Sequence, residues 1–176
     1  MLKVLSQCVA GLLVATASGW AGEFRIESAG IRSGFHEPGG SDSFRQTEGF
    51  ANWNLPWHWD LGRAWELRCR LDLTAGCLTG EGENGFVGTI GPSLVLEQGR
   101  FPLVLVGGVS PTVLSRDTFG STDFGVPFQF TSHVGLRCHL GSHFDVGYRF
   151  QHMSNAHLSD HNPGLDLHMF TLGYRF

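Results

Sequence analysis

Trp65-Glu66-Leu67-Arg68-Cys69-Arg70-Leu71-Asp72-Leu73 alternates without a break. Every odd position is apolar and every even one is charged, the period of two that marks a β-strand with two unlike faces. A soluble sheet can alternate in this way, with its charges turned to water. A membrane barrel can also do so, with its charges turned inward and its apolar side chains turned to lipid. The rest of the chain decides between the two.

The same period runs through 126–140, 143–155 and 165–176. Val126, Phe128, Phe130, Val134, Leu136, Cys138 and Leu140 stand opposite Gln129, Thr131, His133, Arg137 and His139. Weaker strand candidates cover 23–35, 47–55, 85–97 and 102–114, which brings the total to eight. The connections at 97–101 and 140–143 are tight. Those at 36–46, 74–85, 114–125 and 155–164 are longer and rich in Gly, Ser, Asp and Asn. Short turns on one rim and longer loops on the other are the layout of an outer-membrane barrel. Trp53, Trp57, Trp59 and Trp65 gather near one short-turn rim, as an interfacial aromatic girdle does. The spacing therefore predicts an all-β fold, an eight-stranded antiparallel up-and-down transmembrane β-barrel closed between its first and last strands. A barrel of eight strands has room inside only for side chains. Glu66, Arg68, Arg70, Asp72, Gln129, His133, Arg137, Arg149 and Gln151 are expected to form a paired polar interior.

Size and composition agree with one secreted domain. Met1-Leu2-Lys3 followed by an apolar run and small residues reads as a signal peptide over 1–21, leaving 22–176 as the barrel. The apolar run is too short to span a bilayer. Net charge is −4 over 176 residues, with no basic patch of the kind nucleic acid requires. Cys69, Cys77 and Cys138 are odd in number and have no C-x-x-C spacing, so neither a disulfide framework nor a zinc site is expected.

Parity also singles out a candidate site. His152, Ser154 and Asp166 fall on the face that carries Phe144, Val146, Tyr148, Phe150, Phe170, Leu172, Tyr174 and Phe176. They sit at the end of one strand and the start of the next, on either side of the 155–164 loop. In the barrel reading this face meets lipid, where polar groups are costly without a purpose. His152 and Ser154, two apart on a strand, stand side by side. Asp166 across the hairpin can orient the imidazole. Asn155 and Asn162 flank the loop and can donate amide hydrogens to an oxyanion. Ester hydrolysis or acyl transfer is the natural reaction class. His157 and His161 are four apart in a loop, where that spacing carries no ligand geometry, and no metal is expected. His168 shares the site's parity one step deeper. Arg32, Arg45 and Arg116 near the outer loops read as solvated charges able to meet lipid phosphates.

Tyr148-Arg149-Phe150-Gln151-His152-Met153-Ser154-Asn155, followed by Asn162-Pro163-Gly164, resembles the signature of the lipid A 3-O-deacylase (PagL) family. The resemblance implies an eight-stranded barrel in the bacterial outer membrane that removes the 3-O-linked acyl chain of lipid A with neither metal nor organic cofactor. It implies His152 as base, Ser154 as nucleophile and Asn155 with Asn162 at the oxyanion, with Gly164 of the same motif beside them. The family's acid is a glutamate; the matching position here is Asp166, one methylene shorter. The implied partners are lipid A in the outer leaflet and, during biogenesis, the barrel-assembly machinery. The alternation Phe170-x-Leu172-x-Tyr174-x-Phe176 resembles the signal that such machinery reads. The competing expectation is a non-enzymatic small barrel serving adhesion, envelope integrity or lipid binding.

Overall fold

Ten strands follow one another without a helix among the residues described by the computed structural model, 25–36 and 43–176. The expected leader lies outside them. The strands are β1 (Ile26–Phe35), β2 (Phe44–Gly62), β3 (Trp65–Gly80), β4 (Glu83–Gln98), β5 (Leu103–Leu114), β6 (Thr118–Phe119), β7 (Thr122–Asp123), β8 (Phe128–Leu140), β9 (Phe144–Ser154) and β10 (Leu165–Arg175). Eight of them close a barrel in the order β1-β10-β9-β8-β5-β4-β3-β2, and β6 with β7 forms a small separate hairpin. Closure is antiparallel, with Ile31 opposite Leu172 and Phe35 opposite His168. Every ladder then has a neighbour, the condition for sheet in a bilayer.

The outer wall is apolar. Ile31, Phe86, Ile90, Val134, Leu136, Phe144, Phe170 and Leu172 are all exposed. A continuous belt of this kind on an otherwise paired sheet is a lipid-facing surface, as the outer wall of a membrane-spanning β-barrel is. The lumen holds the charges that alternate with that belt. Arg70 donates to Asp72 twice, at 2.6 and 3.1 Å. Arg68 does the same to Glu97, at 3.0 and 2.9 Å. Glu48 accepts from Arg32, from Arg149 at 3.2 Å and from Gln46 at 2.6 Å. Arg32 is therefore a lumenal ion-pair partner and not the surface charge expected of it: Ile31 and Phe35 face lipid, so Arg32 faces in.

Three sequence expectations change. Residues 74–80 and 83–85 continue β3 and β4 instead of forming a long loop, joined by a two-residue turn at Glu81 and Gly82, both at positive φ. Positive φ at both centres makes the tight turn whose twist suits a hairpin. Strand β2 does not stop at Leu55; it runs on through Pro56 with a register shift between Asn54 and His58. An irregularity of this kind is where a strand tolerates proline. Finally, the lumen is not polar throughout. At the loop rim it is filled by Phe44, Leu78, Val87, Leu114, Met153, Leu165, Leu167 and Met169, and Phe119 and Phe124 descend into them from the 115–127 connection.

Candidate active site

Strands β9 and β10 pair so that Met153 faces Leu165 and His152 faces Asp166. The period of two then sorts the side chains. Met153, Leu165 and Leu167 are buried, whereas His152 is exposed and Ser154 and Asp166 are half-buried on the lipid-facing wall. His152 Nδ1 donates to Asp166 Oδ1 at 2.7 Å. With Nδ1 carrying the proton, Nε2 is the ring's free base. Ser154 lies two residues along the same strand, about 6.6 Å between Cα atoms. Among the described residues its hydroxyl makes no hydrogen bond, so it is free to turn towards the ring.

Gly164 fits against the imidazole. It holds φ +71°, and a Cβ there would stand 3.0 Å from His152 Cε1. Only glycine supplies both the left-handed backbone and the room. Asn162 accepts the Asn155 backbone N–H through Oδ1 at 3.0 Å. Its Nδ2 group makes no hydrogen bond among the described residues. Asn155 departs from expectation. It continues the inward parity of Arg149, Gln151 and Met153 and is fully buried. Its Nδ2 donates to the Phe124 carbonyl at 3.0 Å and to the His161 carbonyl at 2.6 Å, while Oδ1 accepts from His157 N at 2.9 Å. Both amide hydrogens are committed, so its side chain anchors the loop and is not turned to an oxyanion.

One neighbour was missed in the sequence. His36 Nδ1 donates to the Asp166 carbonyl at 2.6 Å and steadies the acid's backbone from the end of β1. The signal was available: a barrel that closes β1 on β10 brings residue 36 beside residue 166. His168 shares a 2.7 Å hydrogen bond with the Tyr148 hydroxyl, away from His152. His161 donates to Asp123 at 2.9 Å. Arg116 pairs with Glu83 at 2.8 Å. Among the described residues no group of three or more His, Cys, Asp or Glu side chains is placed to hold a metal.

The chain is similar to known proteins in both sequence and fold. The family profile of lipid A 3-O-deacylase (PagL) matches residues 46–175. A relative named lipid A deacylase PagL, from Bordetella bronchiseptica, is 39% identical over 69 residues, a stretch covering 39% of this chain and 39% of the relative. The crystal structure of the outer membrane enzyme PagL superposes with a TM-score of 0.73 at 18% identity, over 84% of this chain and 99% of that one. Neisserial surface protein A gives a TM-score of 0.52 at 14% identity, over 88% and 97%. At such identities the two structures speak to the fold alone. The family profile spans well over half of the sequence, including the whole of β9 and β10, and the chain belongs to the lipid A 3-O-deacylase (PagL) family.

Proposed function

We propose that this protein is a serine esterase of the outer membrane that hydrolyses the 3-O-linked acyl chain of lipid A from the barrel's outer wall. The observation that carries the reading is the His152–Asp166 hydrogen bond of 2.7 Å on a lipid-facing surface, with a free serine hydroxyl one step away. A charge-assisted pair in that position is costly unless it serves chemistry. The family match supplies the substrate class.

In this mechanism Ser154 Oγ attacks the ester carbonyl while His152 Nε2 takes its proton. Asp166 keeps Nδ1 protonated and stabilises the imidazolium as it forms. The oxyanion is met by the Asn162 side-chain amide, whose Nδ2 is the uncommitted donor beside the loop. The bond between the carbonyl carbon and the sugar's 3-oxygen then breaks, leaving the acyl group on Ser154, and the departing sugar oxygen receives the proton from His152. Water, deprotonated by the same ring, releases the fatty acid from Ser154.

The test is Ser154→Ala in protein refolded into detergent and mixed with lipid A. The variant is expected to fold and to leave lipid A at full mass, while wild type releases one fatty acid. Equal mass spectra for the two proteins would refute the proposal.

A further inference from the structure

Directly behind the lipid-facing triad, on the inner side of the same two strands, lies a wedge that the proposed chemistry does not use. Met153 and Leu165 are the inward neighbours of His152, Ser154 and Asp166, and they oppose each other in the β9–β10 ladder. Both are buried in the cluster that also contains Phe119 and Phe124. These two rings belong to another connection altogether, residues 115–127. They pack edge to face on one another and on Phe44, with centroids 5.8–6.1 Å apart.

The wedge is held from both sides. Towards β3 and β4, Glu83 accepts the Gly120 N–H at 2.9 Å and Glu81 accepts the Ser121 N–H at 2.7 Å and the Thr122 hydroxyl at 2.8 Å. Towards the site, the Phe124 carbonyl accepts from Asn155 Nδ2 at 3.0 Å, and Asp123 accepts from His161 at 2.9 Å. Gly125 passes so close to the His161 carbonyl and the Ser159 side chain that any Cβ there would collide with them. The loop that follows the nucleophile thus takes much of its support from the 115–127 connection.

We infer that residues 115–127 form a brace for the 155–164 loop, with Phe124 and Asp123 acting as positioning residues for Ser154 and Asn162. The inference rests on the esterase reading for its catalytic consequence. The brace itself does not depend on that reading. Phe124 is buried, and the Asp123 carboxylate is taken up by His161 and the Gly125 N–H, so both act on the loop and not on the reacting ester. Their effect passes through Asn155, whose backbone continues from Ser154 and whose N–H fixes Asn162. A nucleophile displaced by an ångström loses on the order of a hundredfold in rate. Loosening the brace therefore lowers kcat and leaves substrate affinity, set by the outer wall, nearly unchanged.

The experiment compares wild type, Phe124→Ala, Phe124→Leu and Asp123→Asn, all refolded in detergent. It measures kcat and KM for fatty-acid release together with amide exchange over 155–161. For Phe124→Ala the expected result is roughly a ten- to hundredfold fall in kcat, a steady KM and faster exchange at the Asn155 and His157 amides. Phe124→Leu should restore most of the rate. Asp123→Asn lies on the surface, opens no cavity and should show a smaller fall of the same kind. Faster exchange with an unchanged kcat would overturn the positioning role, and unchanged exchange would overturn the brace. A wild type that releases no fatty acid counts against the esterase reading instead, since the exchange measurement stands without it.

Discussion

His152 Cε1 occupies the space a Cβ on residue 164 would need, 3.0 Å away, and residue 164 is a glycine at φ +71°. Two requirements converge there. The left-handed backbone costs an L-residue about 1–2 kcal/mol, and an added methyl crowds the imidazole at Cε1. Gly164→Ala should lower activity by more than its loss of stability explains. Kinetics and thermal unfolding of the same refolded sample check this. A fall in melting temperature with kcat intact would show that the ring does not depend on the glycine.

Asp166 carries the second prediction. Its half-exposed carboxylate holds the His152 tautomer through one hydrogen bond of 2.7 Å. Asp166→Asn keeps the shape but removes the charge, and a loss of roughly 10²–10⁴ in kcat is expected. Asp166→Glu places the family's own residue at this position. The added methylene lengthens the reach, and the open side of the carboxylate gives it room to bend, so activity within about tenfold of wild type is expected. If the two variants lose activity equally, orientation by a carboxylate is not what the site requires.

Much of this site could be read before the structure was known. Taking Ser154 and Asp166 as equidistant from the loop centre puts those two level; the ladder instead sets His152 opposite Asp166, a slip of two residues that keeps all three side chains on one face. Strands whose lumen side is charged, such as 65–73, betray themselves because apolar and charged residues cannot share a face. The stretch 74–80 hid because Thr74, Ala75, Gly76 and Thr79 give no contrast between faces, so only pairing with β2 and β4 makes it strand. Asn155 shares the inward parity of Gln151 and Met153 and is buried like them, a signal masked by the polar loop that it opens. Phe119 and Phe124 left no local signal. Two phenylalanines in a Gly-, Ser- and Asp-rich connection become a wedge only because the barrel mouth beneath them is lined with Leu78, Val87 and Leu114.

The lumen offers a test of the barrel's own energetics. Glu48 is 1% exposed and accepts hydrogen bonds from both Arg32 and Arg149. Removing one partner of a buried charge group leaves the others unbalanced, at a cost of about 3–5 kcal/mol. Glu48→Gln should therefore unfold at a markedly lower temperature, read from the heat-dependent gel mobility typical of barrels. Catalysis per folded molecule should persist, because the site lies on the opposite surface of the wall. An unchanged unfolding temperature would mean that water or rearranged pairs already compensate these arginines.

The pins on the 115–127 connection predict a pH dependence confined to the loop rim. Backbone N–H donation from Ser121 holds the Glu81 carboxyl below its ordinary 4.5, and that from Gly120 does the same for Glu83. The His161 hydrogen bond likewise lowers Asp123 from 3.8. A carboxylate whose folded value is depressed contributes stability that is fully present above the unfolded value and is lost as pH falls through the folded one. The connection should accordingly stay pinned from neutral pH down to about 4 and loosen only below that. The Gly120 and Ser121 amide resonances in micelles report the event directly, and their titration midpoint should lie below 4.5. The double variant Glu81→Gln, Glu83→Gln should abolish that titration and show the loosened spectrum at neutral pH. A midpoint at or above the ordinary carboxylate value would mean that these oxygens do not carry the hairpin's amide hydrogen bonds in solution.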